Sequence, residues 1–175
     1  MLYFLPGLVI GIIAGALRES SRNYPTDKPV VVSEDNNRDG KPDAFFHYAN
    51  GLMTRAEYDR NFDGAIDFWY WYSEGFIVRA EADENFDGAV DAWDTYRHGN
   101  IIVRKADTDW NGVPDVTHEY EYGVLVKSCW HPNGSNIVRM EFFKHGAKTN
   151  EVIDSSGDGV FETQKRYDSF GNECR

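Results

Sequence analysis

The nine residues Asp59-Arg60-Asn61-Phe62-Asp63-Gly64-Ala65-Ile66-Asp67, followed by Phe68-Trp69-Tyr70-Trp71-Tyr72-Ser73-Glu74-Gly75-Phe76-Ile77-Val78-Arg79-Ala80-Glu81-Ala82, decide the fold. The first part mixes Asp, Asn and Gly, residues that favour turns because their side chains bond the local backbone or carry no Cβ. The second part alternates at period two, rich in aromatic and β-branched residues, with Gly75 at its middle. That pattern predicts two short strands turned at the glycine.

The same unit recurs along the chain. Units begin at Asp35, Asp59, Asp83, Asp107, Cys129 and Asp154, which are 24, 24, 24, 22 and 25 residues apart. Thirteen residues after each start stands an aromatic: Tyr48, Tyr72, Tyr96, Tyr120, Phe142 and Tyr167. A glycine follows it: Gly51, Gly75, Gly99, Gly123, Gly146 and Gly171. No helical stripe is evident after residue 18. The expected fold is therefore mainly β, with tandem β-hairpin repeats forming an elongated antiparallel meander over residues 35–175. A closed barrel or propeller is the alternative, although 24 residues supply only half of a four-stranded blade.

Each unit opens with a loop of the form D-x-[DN]-x-[DN]-G-x-x-D. Oxygen ligands fall at positions 1, 3, 5 and 9, the carbonyl of position 7 can join them, and a glycine at position 6 permits the turn that gathers six to eight oxygens round calcium. The expected ligands are Asp35, Asn37, Asp39, Lys41 and Asp43 in the first loop, and Asp59, Asn61, Asp63, Ala65 and Asp67 in the second. The third offers Asp83, Asn85, Asp87, Ala89 and Asp91; the fourth Asp107, Asp109, Asn111, Val113 and Asp115. The sixth offers Asp154, Ser156, Asp158, Val160 and Glu162. Lys41, Ala65, Ala89, Val113 and Val160 would contribute only their carbonyls. The fifth loop has Cys129, His131, Asn133 and Ile137 at the ligand places and is expected to bind no metal.

Charge supports this reading over one of simple solvated turns. Three carboxylates in each of five loops make 15 of the 29 acidic residues, in a chain of formal net charge −11. Without a cation each trio repels at close range. Up to five Ca²⁺ are expected, and five would offset ten of those eleven charges. The acidic balance also argues against nucleic acid as a partner, which selects Lys/Arg-rich faces.

These loops resemble the DxDxDG calcium loops of EF-hand, dockerin and thrombospondin type 3 repeats. The hairpins, with segments such as Tyr167-Asp168-Ser169-Phe170-Gly171-Asn172, resemble bacterial YD-type or MORN-like β repeats. The likeness implies calcium binding without EF-hand opening. An EF-hand needs a bidentate Glu at position 12, where this chain has Phe46, Tyr70, Asp94, His118 and Lys165. Asp at position 9 follows the thrombospondin type 3 pattern instead.

The N-terminal residues Met1 to Leu17 carry no charge and as a helix would span roughly 25 Å. Ala14-Gly15-Ala16 would fit a signal-peptide cleavage site. Met1 at the head of the chain, and Gly7, Gly11 and Gly15 on one helix face, favour a retained transmembrane helix over residues 1–18, packed against a helix of another subunit. Residues 19–34 read as a linker. Arg18, Arg22 and Lys28 would hold the body in the cytoplasm, but weakly binding calcium loops point to the periplasm or the cell exterior.

No catalytic residue is expected, since no nucleophile elbow, P-loop or dinucleotide fingerprint is present. The five His lack metal spacing, and Cys129-x-His131 lacks two further zinc ligands. A disulfide between Cys129 and Cys174 is expected instead. The resulting expectation is a membrane-anchored, calcium-binding structural or assembly subunit of a larger membrane complex. The alternative is a secreted or surface module that binds carbohydrate or protein through aromatics such as Trp69, Tyr70, Trp71 and Tyr72.

Overall fold

The computed structural model describes residues 28–174. The anchor expected over residues 1–18, with Gly7, Gly11 and Gly15, lies outside the described residues. Among those described, no helix is long and apolar enough to cross a membrane.

The described residues form one antiparallel sheet of 13 strands whose spatial order is the sequence order. The strands are β1 (Val30–Glu34), β2 (Ala44–Ala49), β3 (Leu52–Tyr58), β4 (Phe68–Ser73), β5 (Phe76–Ala82), β6 (Ala92–Arg97) and β7 (Asn100–Ala106). They continue as β8 (Val116–Glu121), β9 (Val124–Trp130), β10 (Arg139–Lys144), β11 (Ala147–Ile153), β12 (Thr163–Tyr167) and β13 (Glu173–Cys174). The meander of hairpins is thus present. Its first strand falls in the stretch read as linker: Val30 to Glu34 pair with Tyr48 to Ala44.

Two devices repeat in the first five hairpins, β2–β3 to β10–β11. Asn50-Gly51, Glu74-Gly75, His98-Gly99, Tyr122-Gly123 and His145-Gly146 all have positive φ at both residues, the signature of the type I′ turn that matches strand twist. The second device is a bulge beside the landmark aromatic. Trp71 pairs with Arg79 but Tyr72 pairs with Ile77, which leaves Val78 as the extra residue. Thr54, Ile102, Val126 and Thr149 are skipped in the same way. Each bulge adds local right-handed twist. Two bulged threonines also satisfy nearby backbone: the Thr54 hydroxyl donates to the His47 carbonyl at 3.2 Å and that of Thr149 to the Phe142 carbonyl at 3.1 Å.

Only in the first unit does the turn carry Asn-Gly; in the second, Glu74 sits at φ 52°. Asn visits that region at lower cost than Glu. Glu74→Asn is expected to stabilise the protein by roughly 0.5–1 kcal/mol, read by urea unfolding. A loss of stability would show that the Glu74 side chain has a role beyond the turn.

One face of the sheet holds the core. Large and small residues alternate across it: Phe46, Ala56, Tyr70 and Ala80 form one rank, with Ala44, Tyr58 and Phe68 beside it. Each alanine leaves room for a neighbouring ring, and the rings meet edge to face, as with Phe46–Tyr58 at 5.9 Å and Tyr58–Tyr70 at 6.3 Å. The rank then changes character. It continues through Asp94, Arg104, His118, Ser128, Glu141, Glu151 and Lys165, so the apolar half gives way to a polar one. Arg104 Nη1 lies 3.3 Å from Asp94 and its Nη2 2.7 Å from Glu84. His118 Nδ1 meets the Ser128 hydroxyl at 2.8 Å, and the Tyr167 hydroxyl donates to Glu151 at 2.5 Å. Burial pushes the Asp94 carboxyl up against the opposing pull of Arg104. Burial, helped by the Arg104 charge, holds the His118 imidazole below its usual range.

Candidate metal centre

An antiparallel meander alternates its connections between two edges. The type I′ turns take one edge, so all six long loops are collected on the other, spaced by two strands, or about 9.6 Å. Backbone bonds join them in series. The first residue of each loop donates to the last residue of the one before: Asp59 to Asp43, Asp83 to Asp67, Asp107 to Asp91, His131 to Asp115 and Asp154 to Val138, at 2.8–2.9 Å.

That relay corrects the alignment of the fifth loop. Its first position is His131, not Cys129, and its last is Val138, so the unit starts are 24, 24, 24, 24 and 23 residues apart with one residue deleted from the loop. The bulge aromatic of this unit is accordingly Phe143, not Phe142. The deleted residue is accommodated by a short 3-10 turn over Pro132–Gly134. No acid occupies the loop under either alignment.

Within the intact loops the carboxylates collect backbone amides. At position 1, Asp35, Asp59, Asp83, Asp107 and Asp154 each accept the N–H of the position-6 glycine at 2.6–2.9 Å. Those glycines (Gly40, Gly64, Gly88, Gly112 and Gly159) lie at φ 86–96°, where a Cβ is strained even though nothing crowds it. At position 5, Asp39, Asp63, Asp87, Asn111 and Asp158 accept the amides of Lys41, Ala65, Ala89, Val113 and Val160. At position 3, Asn37, Asn61 and Asn85 donate their amide to the position-5 Asp. At position 9, Asp43, Asp67, Asp91, Asp115 and Glu162 accept the N–H of position 2. The Asp at positions 1 and 9 are mostly buried, and positions 3 and 5 are mostly exposed.

Three carboxylate oxygens come within 4.8 Å of one another in two places among the described residues: Asp107, Asp109 and Asp115 in the fourth loop, and Asp154, Asp158 and Glu162 in the sixth. The fourth loop is the one with Asp at position 3. The first three loops hold their carboxylates farther apart, and in the second Arg60 Nε sits 2.5 Å from Asp67 Oδ1. A residue overlooked in the sequence also acts on these carboxylates, in converging and spread loops alike. The side chain at position 2 donates to position 9: Asn36 to Asp43, Arg60 to Asp67, Thr108 to Asp115 and Ser155 to Glu162. Aligning column 2 of the units reveals the donors, with Glu84 the exception.

In the sixth loop, bonds from the Ser155 amide and the Ser156 hydroxyl hold the Glu162 carboxyl down to about 2. A depressed acid stabilises the loop above its ordinary pKa and loses that contribution as pH falls through the folded value. The Ser155 amide resonance is expected to titrate with a midpoint near 2. A midpoint at the ordinary Glu value would show the bonds to be absent in solution.

The expected disulfide is absent, and both cysteines are free, Cys129 buried and Cys174 exposed. Cys129 lies on β9 and Cys174 on β13, four strand spacings away, or about 19 Å, far beyond disulfide reach. On the face opposite the core, Trp71 has Arg55 and Arg79 guanidinium carbons 5.4 Å and 4.5 Å from its ring. The protein's own cations thus occupy the ring offered as a sugar platform.

No family model and no curated protein matches the chain. Among solved structures, the crystal structure of TarM is similar at 8% identity and a TM-score of 0.33, over 87% of this chain and 23% of that one. The chain thus spans about a quarter of the length of that protein.

Proposed function

We propose that the chain is a membrane-anchored, calcium-binding repeat scaffold that serves as a structural or assembly subunit of a larger membrane complex. The observation that carries the reading is the acidic rim, in which loops of one pattern are stacked on one sheet edge and joined by backbone bonds. A cation held in one loop then stiffens the junction with the next. Calcium enters first at Asp107, Asp109 and Asp115 and at Asp154, Asp158 and Glu162, where three carboxylates converge. The remaining loops fill by turning exposed position-5 carboxylates inward. The apolar sequence of residues 1–17, with Gly7, Gly11 and Gly15, supports an anchor packed on a partner helix, with the repeats on the calcium-rich side of the membrane.

Equilibrium dialysis against calcium, with the bound metal counted per chain, tests the ion; extraction of native membranes with carbonate tests the anchor. Two to five bound ions and retention in the membrane pellet are the expected results. Fewer than one ion per chain in millimolar calcium would overturn the first part, and release by carbonate the second.

A further inference from the structure

We propose that the loop rim binds an extended, uncharged β-1,4-linked polysaccharide through a row of three rings, those of Phe62, Phe86 and Trp110. They hold the fourth position of the second, third and fourth loops and are 49%, 45% and 50% exposed. Their φ values are 63°, 63° and 62°, so three bulky side chains stand on one left-handed backbone that such residues rarely adopt. The loop does not require a ring there, because the sixth loop turns the same way with Gly157 at φ 76°. Packing does not account for the rings either. The Arg60 guanidinium carbon lies 5.6 Å from the Phe86 ring, and among the described residues no other ring or cation stacks on any of the three. Trp71 on the sheet face carries two guanidiniums, whereas the rim rings keep an open face.

Spacing and charge select the occupant. Successive loops are two strands apart, about 9.6 Å, close to the length of one disaccharide in an extended β-1,4-linked chain. Alternate sugars of such a chain present the same face, so rings at this step meet sugars one, three and five. The sheet twist, about 40–50° over two strands, is taken up by rotation at the glycosidic bonds. Each ring is flanked in sequence by amide or acid side chains: Asn61 and Asp63, Asn85 and Asp87, Asp109 and Asn111. Asp63, Asp87 and Asp109 are exposed and repel an anionic glycan or an anionic lipid surface. The same groups accept hydrogen bonds from hydroxyls. A unit with an apolar C–H face for the ring and a hydroxyl edge for the acids is a neutral pyranose. A row of like rings at one step is explained by a ligand that repeats at that step. The inference goes beyond the scaffold reading, and because backbone places the rings it does not depend on calcium.

The test is a calorimetric titration of the full chain with β-1,4-linked oligosaccharides of two to six sugars, in one series of glucose and one of N-acetylglucosamine. In at least one series affinity should climb from the disaccharide to the pentasaccharide, which reaches all three rings, and level off at six. Phe62→Gly and Trp110→Gly should each weaken pentasaccharide binding roughly threefold to tenfold, the size of one stacked ring contact. Both variants should melt no lower than the parent, because glycine relieves the left-handed backbone. No binding in either series, affinity independent of length, or unchanged affinity in both variants would each overturn the proposal. So would a loss of affinity that tracks a fall in melting temperature, since the rings would then be structural. Tighter binding of pentalysine, of the pentamer of β-1,4-linked mannuronate or of phosphatidylcholine vesicles would assign the row to a cationic chain, an anionic glycan or a membrane and overturn it equally. A chain that binds no calcium leaves it intact.

Discussion

Calcium at a hundred times its dissociation constant is expected to stabilise the fold by about 2.7 kcal/mol for each loop it fills. For a chain of this size that corresponds to a rise in melting temperature of roughly 5–11 °C per site, since about 1 kcal/mol moves the midpoint by about 2–4 °C. The physical source is the rim. Asp107, Asp109 and Asp115 hold their oxygens within 4.8 Å of one another, and like charges at that range oppose the conformation that gathers them. An ion that binds the folded loop turns that opposition into attraction. Melting in millimolar calcium against melting in chelator measures the difference. Asp107→Asn and Asp158→Asn, placed in the two converging loops, should each remove about one site's share. Coincident melting curves with and without chelator would remove calcium from the account.

The second large effect lies in the polar half of the core. Arg104→Met is expected to destabilise the protein by roughly 3–5 kcal/mol at neutral pH, because it leaves Asp94, 8% exposed, charged without its partner. Burial already raises the Asp94 carboxyl above its ordinary value. An acid whose folded pKa is raised costs stability when ionised, and the cost disappears as pH falls through that folded value. Removing Arg104 raises the folded value further, so the deficit of the variant should shrink on acidification from pH 7, the opposite of ordinary acid denaturation. Adding Asp94→Asn to Arg104→Met should recover most of the loss, since the stranded charge is gone. Urea unfolding at several pH values reads both effects. A deficit under about 1 kcal/mol, or one independent of pH, would mean that water reaches Asp94 in solution.

The hairpins were legible because alternation and a glycine at fixed phase leave a mark that no other structure produces. Val30 to Glu34 were not, since a lone strand before the first loop has no turn partner and follows Pro29. The fifth loop was misplaced by two residues because its acids are gone. Its boundary is fixed instead by an amide, that of His131, which every sequence carries. The pairing of Cys129 with Cys174 failed for a different reason: residue spacing does not say how many strands lie between two positions. Asp94 and Arg104 occupy places that period two assigns to the core, and only the strand register reveals that they answer each other there. In the loops, the carboxylate pattern was legible, whereas the bonds donated by position 2 were not. They become visible once Asn36, Arg60, Glu84, Thr108 and Ser155 are read as one column.

Among the described residues every strand is bonded only to the strands before and after it in sequence. Nothing in such a sheet counts its own units: among these strands no closing strand must find the first. Duplication or loss of one 24-residue segment therefore changes reach by about 10 Å and leaves the remaining junctions as they were. Repeat number is in this sense a length setting that descent can adjust by unequal exchange, without redesign of the parts.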